Sequence, residues 1–131
     1  MKRLNGFLII LLATVALSHQ ISAQGYGFPT KKFGIGFGNL PTFTGLRING
    51  IDHNVESIKG INITSWTAKS FSEQTGSFYG LGIGVPMAMG TKNRYGASVG
   101  IFATGATETL AGINIGGVAV GGNNAYGINI G

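Results

Sequence analysis

Cysteine is absent from the 131 residues. Its absence excludes disulfide scaffolds, thiolate metal sites and thiol nucleophiles. It also closes the bacterial lipoprotein route, which lipidates a cysteine at the leader cleavage point. Charge is scarce, at 10% of residues, and the basic side chains Lys31, Lys32, Arg47, Lys59, Lys69, Lys92 and Arg94 are scattered. No long basic run marks a nucleic-acid interface, so no nucleic-acid partner is expected. Helical periodicity is missing too. Glycine recurs every few residues, costing a helix about 1 kcal/mol each relative to alanine, and no 3.6-residue apolar stripe offsets it. Sparse charge with 44% hydrophobic residues also excludes a disordered tail, which needs low hydrophobicity.

The one sustained apolar run is Phe7 to Leu17, too short against the roughly 20 residues that span a bilayer. Met1-Lys2-Arg3 precedes it, and Ser18 to Ala23 follows as a short polar segment ending in a small residue. This order predicts a secretory signal peptide over residues 1–23, cleaved after Ala23. Lys2, Arg3 and His19 leave with it. Seven of the nine basic residues and all four acidic ones remain, a net charge of about +3 with His53 neutral.

The remainder is one repeated phrase. Aligning Gly34, Gly45, Gly60, Gly80, Gly96, Gly112 and Gly127 places an apolar or small residue one position later: Ile35, Leu46, Ile61, Leu81, Ala97, Ile113 and Ile128. Three positions after the glycine stand Phe37, Ile48, Ile63, Ile83, Val99, Ile115 and Ile130. Between these two columns lie Gly36, Arg47, Asn62, Gly82, Ser98, Asn114 and Asn129. Six positions after come Leu40, Ile51, Trp66, Pro86, Phe102 and Val118. Alternation of the first two apolar columns is strand periodicity. The third column lies three residues further on, which flips the face and predicts a corner at pairs such as Asn49-Gly50, Thr64-Ser65 and Gly116-Gly117.

Repeats of this kind predict an all-β repeat protein, a β-solenoid of 15–16-residue coils, in which the glycines stack on one another and turn tight bends. The three apolar columns are expected inside the coil, with the Asn-bearing column and the tyrosines Tyr79, Tyr95 and Tyr126 forming outward ladders. The alternative is an antiparallel meander or an outer-membrane β-barrel segment, favoured by the clean alternation of Leu81, Ile83, Val85, Met87 and Met89. Residues 24–33 are expected as an N-terminal cap segment and 34–131 as the β-repeat domain. The phrase breaks off at Gly131, so a truncated repeat domain is expected, with further repeats or self-association at this strand edge.

Candidate sites are few. The spacing of 20 after Gly60 contains an insertion, Thr67 to Phe78, that reads as an exposed loop. Lys69, Ser70, Phe71, Glu73 and Gln74 are its candidate interaction residues. Asp52, His53 and Glu56 lie close in sequence, but a metal site needs three or four convergent ligands and no other His remains. "GIGFGN" at Gly34 and "GLGIG" at Gly80 lack the following helix that a dinucleotide loop requires. No nucleophile elbow occurs. Asn62-Ile63-Thr64 fits the N-glycosylation pattern, which the repeat itself explains. No catalytic residue, metal or cofactor is expected.

"YGASVGIFATGATETLAGINIGGVAVGGNNAYGINIG", from Tyr95 onward, resembles the glycine-rich GINIGG repeats of exported surface-repeat proteins of Gram-negative bacteria. The likeness extends over Phe33 to Gly131. It implies a repeat fold and a cell-envelope address in the periplasm, outer membrane or cell surface, and carries over no functional residues. The expected function is that of a non-enzymatic structural or interaction protein of the bacterial envelope presenting a β-repeat surface. An outer-membrane barrel and a glycan- or surface-binding solenoid are the alternatives.

Overall fold

The computed structural model describes residues 25–66 and 74–131. The expected leader, and the loop residues Lys69, Ser70, Phe71 and Glu73, lie outside these. The fold is a β-solenoid of about five coils of roughly 16 residues. Its strands are β1 (Tyr26–Pro29), β2 (Phe33–Phe37), β3 (Thr42–Asn49), β4 (Ser57–Thr64), β5 (Ser77–Gly84), β6 (Met87–Ala88), β7 (Asn93–Gly100), β8 (Ala103–Gly105), β9 (Thr109–Gly116), β10 (Ala119–Gly121) and β11 (Asn124–Ile130).

The main sheet runs β1-β2-β3-β4-β5-β7-β9-β11, and a narrow second sheet runs β10-β8-β6. Every neighbouring pair from β2 to β11 in the main sheet is parallel. A meander or membrane barrel would pair antiparallel, so the register selects the solenoid. The antiparallel exception is β1, which folds back on β2 through Thr30, whose Oγ1 accepts from the Phe33 amide at 3.0 Å.

The repeat glycines stand in one column. Gly34 pairs with Gly45, and the series continues through Gly60, Gly80, Gly96, Gly112 and Gly127. Each adopts positive φ, as at Gly60 (φ 114°) and Gly80 (φ 137°). A Cβ at Gly80 would strike the carbonyl oxygen of Gly60 in the coil below. Glycine is thus required twice over, by the dihedral and by the close approach of the neighbouring backbone. The longer spacing after Gly60 does not disturb the ladder: Ser57–Thr64 matches Ser77–Gly84 residue for residue. All the extra chain falls in the connection between β4 and β5.

The corners come one residue later than the sequence suggests. Bends occupy Ser65–Trp66, Val85–Pro86, Ile101–Phe102 and Gly117–Val118. Ladder hydrogen bonds continue through them, from the Ser65 amide to Asn49 O at 3.0 Å and from the Val85 amide to Thr64 O at 2.8 Å. The corner therefore stacks as the strands do. In the later coils the second sheet passes close beneath it. A Cβ at Gly84, Gly100 or Gly116 would collide with the backbone of Met87 or Ala103 or Ala119 respectively. These glycines set the coil's thickness.

The largest correction concerns which face is inside. The expected core columns point outward: Ile61 is 41% and Ile113 51% exposed. The column between them is interior, with Asn62 3% and Asn114 1% exposed. Arg47 and Ser98 of that column are likewise buried. Since strand alternation has period two, the inner positions also include those two before each glycine: Phe43, Ile58, Phe78, Arg94 and Leu110. The third apolar column divides, with Leu40 buried and Trp66, Phe102 and Val118 exposed. The apolar core is Leu40, Phe43, Val55, Ile58 and Phe78, concentrated in the first coils.

Large and absent side chains alternate within this thin interior. A Cβ at Gly36 would press on Leu40 and the Phe43 ring, and one at Gly82 would overlap the Arg94 guanidinium. Space vacated by glycine is filled by the neighbour's long side chain, which preserves close packing.

Candidate functional site

The molecule's polar chemistry is gathered inside the first coils. The chain after β3 leaves the coil path and dips inward at Asp52, which is buried. Its Oδ1 accepts from Arg47 Nη1 at 2.6 Å and from Asn49 Nδ2 at 2.8 Å. Its Oδ2 accepts from Thr64 Oγ1 at 3.0 Å and from Asn62 Nδ2 at 3.3 Å. Arg47 also donates through Nη1 to Asn62 Oδ1 at 2.9 Å and through Nη2 to Asn39 Oδ1 at 3.1 Å. Asn39 in turn donates to the His53 carbonyl at 2.8 Å. β3 and β4 position Arg47, Asn49, Asn62 and Thr64 because alternate residues share the inner face. The loop supplies the carboxylate that binds them together. A buried carboxylate with four donors is a structural anchor, since its lone pairs are already engaged.

This network separates the three neighbouring ionisable residues and corrects the expected placement of Asn62. Asp52 turns inward while His53 is exposed, and Glu56 accepts from Thr42 Oγ1 at 2.8 Å. No metal-holding group of three or more His, Asp or Glu exists among the described residues. Asn62, expected on an outward ladder, is inside and hydrogen-bonded, so its amide is not a glycan acceptor in the folded chain. Further along the same column the buried Asn114 donates through Nδ2 to Oδ1 of the exposed Asn129 on β11 at 3.0 Å.

Arg94 is the second buried cation. Its guanidinium lies 4.7 Å over the Phe78 ring, and it donates to Ser98 Oγ at 3.3 Å and to Met89 O at 3.5 Å. Burial lowers its pKa to about 10, while the charge of Asp52 acts in the opposite direction. Arg94 stays protonated at neutral pH and is held by a ring face and neutral acceptors.

Beside the first coil is an open groove of about 840 Å³. Leu40, Pro41 and Ile51 line it with Lys31, Lys32 and His53. Gln74, the described residue of the expected interaction loop, is partly exposed just before β5.

The most extensive feature is the outward face of the main sheet. From β2 to β11 it carries two continuous, mainly aliphatic columns. Ile35, Ile61, Leu81, Ile113 and Ile128 are exposed in the first. Phe37, Ile48, Val99, Ile115 and Ile130 are exposed in the second. The neighbouring column before the glycines includes Tyr79 and Tyr95, stacked with centroids 5.1 Å apart and rings 13° from parallel. Beyond it runs a border of small polar residues, Thr42, Ser57, Ser77, Asn93, Thr109 and Asn124, at matched register. An apolar centre edged by hydroxyls and amides has the anatomy of an interaction surface. Sequence periodicity located these columns but assigned them to the core, since alternation alone does not say which face is which. The signal that distinguishes them is pairing within the other face: Arg94 opposite Gly82, and Arg47 beside Asn62 within reach of Asp52.

No protein-family model, no curated protein and no solved structure matches the chain.

Proposed function

We propose that the protein is a non-enzymatic interaction protein of the bacterial cell envelope, of the GINIGG-type surface-repeat kind that it resembles, exported by its N-terminal leader. One observation carries the reading: the aliphatic columns that a globular domain would bury face outward along the whole main sheet, while Arg47 and Asp52 are engaged with each other inside. Such a molecule offers a surface for contact. All-parallel sheets are ordinarily covered on both faces, and here one face packs on the coil interior while the other awaits a partner.

The test is fractionation of cells producing the full chain, with the mass of the recovered protein. The expected result is a product starting at Gln24 and retained in the envelope, and loss of that retention in an Ile61→Lys, Ile113→Lys double variant. An unprocessed chain in the cytosol overturns the address. Equal envelope retention of wild type and variant overturns the role of the face.

A further inference from the structure

We infer that the outward aliphatic face is a self-association surface, covered by the same face of a second copy of this chain. The inference rests on the reading of that face as an interaction surface and names its partner.

The first argument is area. Seven strands at about 4.8 Å spacing, with three outward columns about 6.7 Å apart, make a patch about 29 Å long and about 13 Å wide. Its footprint is therefore roughly 380 Å², with ten aliphatic and aromatic side chains between about a third and three-fifths exposed, the size of the largest, often functional, apolar patch on a monomer.

The second argument is period. Because every coil is stacked in register on the next, the side chains of each column repeat at the strand spacing without a slip from β2 to β11. The surface is a set of parallel ridges and furrows with one fixed repeat. A second copy carries ridges of the same repeat, so ridges of one seat in furrows of the other along the entire length. This is how facing sheets interdigitate at about 10 Å separation. A globular partner with irregular relief matches only a few furrows.

The third argument is symmetry. A patch that covers itself closes as a two-fold dimer and leaves no second copy of the patch exposed. Whichever in-plane two-fold axis relates the copies, it passes over the centre of the patch. Among the described parallel strands β5 is the middle one, so Leu81 and Ile83 lie at the centre of the described face. The polar border on one side and the corner on the other then form the rim. Lys59, in the column beside the aliphatics, is exposed and reaches water from that position by its long stem.

The experiment uses the purified protein. Sedimentation equilibrium across the micromolar range is expected to give twice the protomer mass. The Ile61→Lys, Ile113→Lys variant, with an unchanged far-ultraviolet spectrum, is expected to weaken the dimer at least about a hundredfold in Kd, as for the loss of two buried anchors. The chain contains no cysteine, so single cysteines report position cleanly. On mild oxidation the Ile83→Cys variant is expected to form a covalent dimer, and the Val118→Cys variant, at a corner outside the face, is expected not to. A monomeric wild type overturns the proposal, as does an Ile83→Cys variant that crosslinks no faster than Val118→Cys. Flotation of a monomeric wild type with phosphatidylcholine vesicles, lost in the double variant, assigns the face to lipid and overturns the second copy while leaving the envelope-interaction reading intact. A dimeric protein that is found unprocessed in the cytosol does the reverse.

Discussion

The two faces of the main sheet are built from the same strands, yet they reverse the usual distribution of polarity. The inner face of β3 and β4 presents Arg47, Asn49, Asn62 and Thr64, tied to Asp52. The outer face of the same strands presents Ile48 and Ile61, with Leu46 and Ile63 partly covered. The difference teaches that hydrogen bonding decides burial alongside hydrophobicity: the same inner face buries Phe43 and Ile58 and, nearer the corner, the polar side chains that Asp52 ties together. Amides, hydroxyls and a salt bridge fill narrow space while satisfying one another, and satisfied polar groups are tolerated inside. The aliphatics are left outside, where a partner surface can cover them.

The strongest way to break this comparison is to remove the anchor of the inner face. Asp52→Ala is expected to destabilise the protein by about 3–5 kcal/mol, because it leaves the buried Arg47 cation without its counter-charge and strands two amides and a hydroxyl. Denaturant unfolding of the purified variant measures it. Next in size is the glycine column. Gly80→Ala combines a disfavoured dihedral with a clash against Gly60 O, and about 3 kcal/mol is expected. Gly50→Ala is the control, since a Cβ there meets nothing within 4 Å. It is expected to change stability by under about 1 kcal/mol, in the stabilising direction. Equal losses at the two glycines would show that composition, rather than the stacked column, demands glycine.

The column itself was legible in the sequence because its cause is local. Gly34 through Gly127 recur with fixed neighbours, and a repeated dihedral requirement leaves a repeated residue. That spacing favours the solenoid but leaves the meander and barrel open until the parallel register is known, and it marks an insertion after Gly60 whose last two residues, Ser77 and Phe78, belong to β5 with Phe78 buried. What was not legible was the sense of the faces. Ile61 and Asn62 alternate identically whether the first or the second is inside. The decision depends on Asp52, which arrives from a connection outside the phrase, and on the pairing of Arg94 with Gly82 across neighbouring coils. Both are relations between coils, which no single repeat contains. The corner lies one residue later for a related reason: Asn49, Thr64, Gly84, Gly100 and Gly116 all end their strands, and from Thr64 onward the amide after each bonds to the coil before it, as from Ser65 to Asn49 O and from Val85 to Thr64 O.

Arg94 sharpens the comparison, since here the inner face holds a charge without a close carboxylate. It occupies the column of Phe43, Ile58, Phe78 and Leu110, and its Nε has no hydrogen-bond partner among the described residues. Arg94→Leu restores the column's apolar character and is expected to stabilise the fold by about 1 kcal/mol at neutral pH. The pH dependence has a definite sign. Burial lowers the folded-state pKa to about 10, well below the usual guanidinium value, so between the folded and unfolded values the unfolded chain binds more of this proton than the folded one. Unfolding free energy of the wild type therefore rises with pH across that window relative to Arg94→Leu. Below about pH 10 the difference between the two is constant. Parallel unfolding curves of both proteins from neutral to strongly alkaline pH check this, and a difference that falls through the window contradicts the assignment.

The smallest effect concerns what the outer face contributes before any partner arrives. Tyr79 and Tyr95 stack face to face on adjacent coils, whereas Tyr126, in the same column on β11, is 61% exposed. If outer ladders support the stack by themselves, Tyr79→Ala costs about 0.5 kcal/mol beyond what Tyr126→Ala costs, the low end for an aromatic pair in water. A double-mutant cycle on Tyr79 and Tyr95 isolates the term from general loss of surface, provided the protein is held monomeric by the Ile61→Lys, Ile113→Lys background. A coupling energy near zero would mean that the outer columns do nothing for the single coil stack. Their regular spacing would then be explained wholly by the surface they offer to another molecule.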